Sequence, residues 1–304
     1  MKEPITHTLD PETLSTGEIH NYLLSAIGPR PIAFASTIDR KGNVNLSPFS
    51  FFNVFSANPP ILVFSPSRRG RDNTTKHTYE NIKEVPEVTI NIVNYPMVEQ
   101  MSLASTEYAK GVNEFDKSGF TEVPSKVVKP PYVKEAPVSF ECTVDQVIEL
   151  GDQGGAGNLV IARVKMIHIR DEYTKEGIKL DPTKLDLVGR MGESWYCHAG
   201  TDSMFEIPKP IQTKGIGVDH LSQSIRNSNI LTSNHRGRLG NLEKLPSEAD
   251  IKSMMATDEI KQILLEFEYQ RDLIKDELHR RGVLLIEQGF TQEALTTLLI
   301  VDHV

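Results

Sequence analysis

Between residues 31 and 65, apolar positions recur at the short period of β-strands and are interrupted by turn-forming residues. Pro31–Thr37 carries IAFAST. Asp39-Arg40-Lys41-Gly42-Asn43 supplies a turn, and Val44–Val54 returns as VNLSPFSFFNV, so a hairpin is predicted. Asn58-Pro59-Pro60 breaks the chain before another short apolar strand, Ile61–Ser65. Val88–Val93 (VTINIV) reads as a further strand. In Val138–Leu150 the alternation is clean: Val138, Phe140, Cys142 and Val144 share one face, and Ser139, Glu141, Thr143 and Asp145 share the other. A glycine-rich turn, Gly151–Gly157, then leads into Leu159–Ile169, a second long hairpin. Helical spacing occurs in Thr16–Ile27 and in Met97–Tyr108, through Met97, Met101, Leu103 and Ala104. Pro124–Pro137 is proline-punctuated and irregular. Strands this closely spaced, with few helices between them, predict an antiparallel barrel rather than a doubly wound parallel sheet.

The pattern changes after Pro208. Lys209-Pro210 marks a boundary, and a polar segment rich in Asn, Ser and Arg runs to Leu245-Pro246. A helical region starts at Ser247-Glu248. Ile260, Ile263, Leu264, Phe267, Leu273 and Leu278 are spaced for one amphipathic helix, and Phe290–Leu299 for a last one. Two domains are expected: 1–208, the barrel, and 209–304, a mostly helical extension packed on the barrel or on a partner subunit. No internal repeat is present.

Composition adds constraints. With 304 residues the chain is long enough for a substantial core, and its formal net charge of -8 argues against a broad nucleic-acid or anionic-membrane surface. The two cysteines, Cys142 and Cys197, lack close metal-ligand spacing. They are expected to be reduced thiols, with Cys142 in the core. No apolar run reaches the roughly 20 residues that span a bilayer, and MKEPITHTLDPETL lacks a signal-peptide core. A soluble, cytoplasmic protein is expected.

Against that acidic background Ser65–Ile82 gathers Arg68, Arg69, Arg71, Lys76 and His77, interleaved with Ser65, Ser67, Thr74, Thr75 and Thr78. A helix start follows, with Asp72 or Asn73 as cap. Cations, hydroxyls and free amides at a helix N-terminus suit a phosphate group; a solvated basic loop has the same composition. Gly151–Gly157 is not a dinucleotide fingerprint, because its spacing is wrong and a strand, not a helix, follows.

Several segments then carry a family resemblance in order: GPRPIAFAST (Gly28–Thr37), NLSPFSFFNVFSANPPILVFSPS (Asn45–Ser67), Lys76-His77-Thr78 with Asn81-Ile82, VTINIV, NEFDKSGF (Asn113–Phe120), GNLVIARVKMIHI (Gly157–Ile169) and LVGRMGESWY (Leu187–Tyr196). Over residues 20 to 208 the chain resembles the flavin reductase-like, FMN-binding split-barrel family. The resemblance implies a mainly β fold: a Greek-key, antiparallel split β-barrel with flanking helices. It also implies FMN as cofactor, NADH or NADPH as electron donor, and a homodimer with flavin near the subunit boundary. The family's phosphate motif resembles Lys-Asp-Thr followed by Asn-Ile. Here Lys76 and Thr78 keep the matching places and His77 replaces the acid. Arg30 matches the recurring Arg-Pro at the first strand, which places it beside the flavin's polar edge; a surface arginine at a strand start is the alternative.

FMN needs a phosphate seat, expected from Ser65, Ser67, Arg68, Lys76 and Thr78. It also needs a flat slot with polar partners, expected from Ser47, Ser50, Phe51, Phe52 and Asn53. Strand alternation would put Phe49, Phe51 and Asn53 on one face and Ser50 and Phe52 on the other. Hydride transfer needs no protein nucleophile, since the flavin carries the chemistry. No catalytic residue and no metal site are therefore assigned. His198, with Tyr196 and Arg190, either lines the open ring face or is structural. The expected activity is that of an NAD(P)H-dependent flavin reductase. The alternatives are an FMN electron-transfer protein of the flavoredoxin type without direct nicotinamide reactivity, and a nucleic-acid-binding module using the basic loop and Arg226–Arg238.

Overall fold

A computed structural model describes residues 5–207 and 214–304. The chain divides into two compact units, Met1–Phe205 and Glu206–Val304. The expected boundary at Lys209-Pro210 lies outside the described residues.

The first unit opens with helix α1 (Thr16–Ala26), started by a reciprocal capping box between Ser15 and Glu18. Five strands follow: β1 (Ala33–Ile38), β2 (Val44–Phe49), β3 (Phe52–Ala57), β4 (Pro60–Phe64) and, after helix α2 (His77–Glu84), β5 (Glu87–Ile92). Helices α3 (Val98–Leu103) and α4 (Glu114–Ser118) precede the two-residue strands β6 (Glu122–Val123) and β7 (Tyr132–Val133). The long hairpin β8 (Val138–Glu149) and β9 (Asn158–Ile169) comes next. Then come β10 (Thr174–Lys175), β11 (Lys179–Leu180), α5 (Pro182–Leu185) and the hairpin β12 (Leu187–Arg190) with β13 (Tyr196–Ala199).

Seven strands form one antiparallel sheet in the order β2-β1-β5-β8-β9-β4-β3. The predicted first hairpin forms, with Ala33 opposite Phe49 and Ile38 opposite Val44. The predicted strand Val44–Val54, however, is two strands. It stops at Phe49, and Phe52 begins β3, which pairs with β4 instead. The two outermost strands of the sheet are therefore joined by Ser50 and Phe51 alone. Three Cα steps span at most about 11 Å, so the sheet must curl until its edges approach at this point. Ser50-Phe51 is the seam of a split barrel. The alternation expected across residues 49–53 fails there because the chain changes edges. Pro48, which has no N–H to give, sits in the edge strand β2, where sheets tolerate it.

Strand β1 explains how the barrel is filled. Ala33 and Ala35 face one core with Phe49, Phe64, Ile90, Cys142 and Val160. Ile32 and Phe34 face a second core with Met97, Met101, Phe115 and Phe120 from the α3–α4 region. Both faces of β1 are buried, which is why IAFAST reads as a continuous apolar run.

The second unit is helical: α6 (Gln223–Arg226), α7 (Ser233–Gly240), α8 (Glu248–Met255), α9 (Asp258–Glu266), α10 (Arg271–Glu287) and α11 (Thr291–Leu299). The single amphipathic helix expected through Ile260 and Leu278 is broken at Tyr269, which adopts a left-handed φ of 66°. The break lets Ile260 of α9 and Ile274 and Leu278 of α10 enter one core with Ile251, Ile300 and Val301. Among the described residues helices hold 37% and strands 24%, so the mainly β character belongs to the first unit.

Candidate functional site

A cleft of about 270 Å³ opens at the barrel seam. One end is lined by Ser47, Ser50 and Phe51, together with Pro48 and Phe49. Helix α1 presents His20 and Leu24 to it, one turn apart. The Phe51 ring meets His20 edge-on, with centroids 6.5 Å apart. The other end is lined by Ser65, Ser67, Arg68 and Lys76, with Ser105. The structure thus brings together Ser47, Ser50 and Phe51 with Ser65, Ser67, Arg68 and Lys76, from segments either side of β3 and β4.

Four expected residues lie outside the cleft lining. Arg30 is buried rather than a surface arginine. Its guanidinium donates to the carbonyls of Leu24 and Ile27 (2.6 Å each) and of Met191 (2.8 Å), and Nε reaches Ser50 Oγ at 3.4 Å. It satisfies carbonyls left open at the end of α1 and ties them to the turn after β12. Its hydrogen bonds go to three backbone carbonyls and to the Ser50 hydroxyl, so it positions α1 and Ser50. Phe52 is half-buried and packs against the barrel core. Asn53 is exposed and accepts from Val54 N–H at 2.8 Å. Thr78 is buried, and its hydroxyl accepts from Asn45 Nδ2 at 2.9 Å.

At the polar end the groups differ in how far they are committed. Ser65 Oγ accepts from the Asn158 amide at 3.0 Å. Ser67 Oγ is buried with no hydrogen-bond partner. Arg68 is braced from Asn73, with Nε on Oδ1 (2.6 Å) and Nη2 on the Asn73 carbonyl (2.7 Å). Lys76 is the N-cap of α2, and no side chain caps that helix, so neither Asp72 nor Asn73 has the expected role. Asp72 caps Thr74 instead, and those bonds hold its carboxyl down at about 2. Glu107 receives Arg69 Nε (2.8 Å), Arg71 Nη2 (2.9 Å) and Lys76 Nζ (3.2 Å). These three cations hold its carboxyl at about 2. His77 faces away, into a separate hollow beside Asp39, Asn45, Asn81 and Lys110. Burial first, with Glu80 opposing, lowers its pKa and keeps the ring neutral at neutral pH.

Sequence reasoning missed His20, Leu24 and Glu107. The first two share a face of a helix that was predicted. Glu107 has no local signal, since the cations it gathers lie more than 30 residues away.

His198 pairs with Asp186 (2.5 Å) and stacks on Tyr95 at 4.3 Å, while Arg190 covers Tyr196 at 4.8 Å. None of the three lines the seam cleft. Cys142 and Cys197 are unpaired, and burial pushes the Cys142 thiol up to about 12. A larger cleft of about 650 Å³, around Tyr132, Lys134 and His168, contains none of the expected residues. Size alone does not favour it, because the seam cleft combines an aromatic slot with cations and an unpartnered hydroxyl. Among the described residues no cluster of His, Cys, Asp or Glu is arranged to hold a metal ion, and no helix is long and apolar enough to cross a membrane.

Comparison with known proteins places this geometry. The model of the flavin reductase like domain matches residues 26–184. An uncharacterized protein of Aquifex aeolicus is 36% identical over 181 residues, covering 60% of this chain and 90% of its own. The structure is similar to nitrilotriacetate monooxygenase component B from Bacillus cereus, with a TM-score of 0.63 and 26% identity, over 67% of this chain and all of that one. A split barrel domain protein from Shewanella frigidimarina gives a TM-score of 0.56 at 26% identity, again over 67% of this chain and all of that one. By the matched domain and the barrel seam together, the chain belongs to the flavin reductase-like split-barrel family.

Proposed function

We propose that this flavin-related oxidoreductase holds FMN in the seam cleft and takes its electrons from NADH or NADPH. The observation that carries the reading is the polar end of the cleft. There an unpartnered buried Ser67 hydroxyl, an uncapped helix start and the cations Arg68 and Lys76 converge beside an aromatic slot. A buried hydroxyl without a partner costs about 1–3 kcal/mol, and a phosphate oxygen would relieve it. The phosphate of FMN carries roughly 1.5 to 2 negative charges, by analogy with phosphorylated side chains. Arg68, Lys76 and the open amides at the start of α2 all oppose that charge. Ser47, Ser50 and Phe51 offer the ring a flat wall and polar partners, with His20 and Leu24 closing the helix side.

When bound, the flavin would supply the redox chemistry of hydride and electron transfer. The protein's part is binding, orientation and exclusion of water. Arg30 anchors Ser50 and the end of α1, so the slot keeps its width. FMN suits this cleft better than FAD, because the basic loop is suited to a terminal monophosphate.

We also assign the second copy of this chain to the edge strand β3. Val54 and Phe55 are 63% and 68% exposed there, next to Phe51 in the cleft.

The purified protein should be yellow, and heat release should yield FMN. Anaerobic NADH or NADPH should bleach the flavin band. A colourless protein that binds no added flavin would sink the assignment. Bound FMN that neither nucleotide reduces would favour the electron-transfer alternative.

A further inference from the structure

We propose that the β8–β9 loop, Gly151–Gly157, with Asn158 at the start of β9, is a positioning segment that holds the basic loop in its phosphate-binding shape. The inference rests on the flavin reading of the cleft and adds residues that do not themselves line it.

The basic loop 66–75 has no regular structure of its own, so its shape depends on what it is tied to. Arg68 is held at both main-chain groups by the glycine loop: its N–H donates to Ala156 O at 2.9 Å, and its carbonyl accepts from Gly155 N–H at 3.1 Å. Its side chain is braced by Asn73, and Asn73 is in turn tied back, Nδ2 donating to Asp152 O at 2.9 Å. Asn158 completes the clasp by donating Nδ2 to Pro66 O at 2.9 Å. The hydrogen bonds that fix Arg68 therefore lead, directly or through Asn73, to the loop joining β8 and β9.

Glycines permit this closeness. A Cβ on Gly154 would sit 3.1 Å from the carbonyl oxygens of both Arg69 and Gly70, and 3.2 Å from Gly70 Cα. All three are backbone atoms of the basic loop, so a methyl there must move that loop by some tenths of an ångström. Gly155 adopts a φ of 89°, which a side chain rarely allows. The glycine-rich composition thus has a role beyond a flexible turn: two loops lie flush, and the cation-bearing one is set by the other.

The test uses the full chain and two probes, FMN and riboflavin, which differ by the phosphate. Dissociation constants are read from quenching of flavin fluorescence for the native protein, Gly154→Ala, Asn73→Gly and the control Gln153→Ala. Asn73→Gly keeps the left-handed backbone (φ 56°) and removes the tether. We expect Gly154→Ala and Asn73→Gly each to weaken FMN about tenfold, as a displaced charge-assisted contact should. Riboflavin should stay within about twofold, and Gln153→Ala should match the native protein on both probes. A folded Gly154→Ala with native FMN affinity would overturn the proposal, and so would an equal loss of FMN and riboflavin. If Gly154→Ala does not fold, Asn73→Gly decides by the same criteria. A native protein that binds both probes equally would instead break the phosphate reading of the cleft, and the positioning role with it.

Discussion

Glu107 already neutralises part of the charge at the phosphate end of the cleft, and this bears on what any single cation contributes there. Lys76 Nζ lies 3.2 Å from Glu107, with the side chain 31% exposed. A charge-assisted contact to phosphate is worth about 1.5–3 kcal/mol when undivided; sharing with Glu107 and solvent screening put Lys76 at the low end. Lys76→Ala should therefore weaken FMN about tenfold and leave riboflavin unchanged in the same fluorescence titration. A variant that binds FMN as the native chain does would remove Lys76 from the phosphate seat. Which residues were readable in advance follows from the range of their contacts. Ser50, polar among phenylalanines, and the cluster of Ser67, Arg68 and Lys76 announce themselves locally. Arg30 was readable as a motif but not as a buried clamp, because one of its acceptors, the Met191 carbonyl, lies 161 residues on. Thr78 matched a motif, yet Asn45, 33 residues away, holds its hydroxyl.

At the scale of elements, strands that alternate or run apolar were legible, and the two breaks were not. The chain leaves β2 at Ser50 because it must cross to the other edge of the sheet, and α9 ends before Tyr269 because two helices must share a core. Neither cause is local. Helices α6 and α7 went unpredicted because their apolar positions are sparse; Ile225 and Leu239 are buried by the fold around them. Helix α10 carries a consequence for pH. His279 is buried within it, Nδ1 paired with Ser228 Oγ at 2.8 Å and Nε2 without a partner. Burial, then Lys275, lowers its pKa to about 4, against the opposing pull of Asp276 and Asp302. The unfolded ring takes up a proton below about pH 6.5, whereas the folded one does so only near 4. Stability is thus intact above the unfolded value and falls as pH drops between the two, by up to about 1.4 kcal/mol per pH unit. Thermal melts followed by circular dichroism at pH 7.5, 5.5 and 4.5 should show this loss, and His279→Gln should flatten it. An identical slope in the variant would mean that other groups carry the acid sensitivity.

Over the whole molecule, closing a sheet through a two-residue seam leaves β2 and β3 as edges, and the two are not equally protected. Strand β2 contains Pro48 and has Leu46 tied through its amide to Glu114 at 2.9 Å. Strand β3 pairs on one side only, with β4. A register shift between Val54 and Ser56 turns both Val54 and Phe55 toward solvent. An exposed apolar edge of this kind is an association hazard that proteins blunt with charge or cover with a partner, and β3 carries no charged residue. That supports a second copy as the cover, and it links assembly to the cleft, because Phe51 is 40% exposed next to the same strand. Barrel class was legible from strand spacing, whereas this edge depends on a strand order that spacing does not determine. The native chain should sediment as a dimer at micromolar concentration. Val54→Lys with Phe55→Glu should shift it to monomer while preserving the far-ultraviolet circular dichroism, and FMN affinity should fall with the loss of the partner beside Phe51. A native chain that sediments as a monomer would reject the dimer outright. A monomeric double variant that binds FMN at native affinity would show that the cleft is complete within one chain.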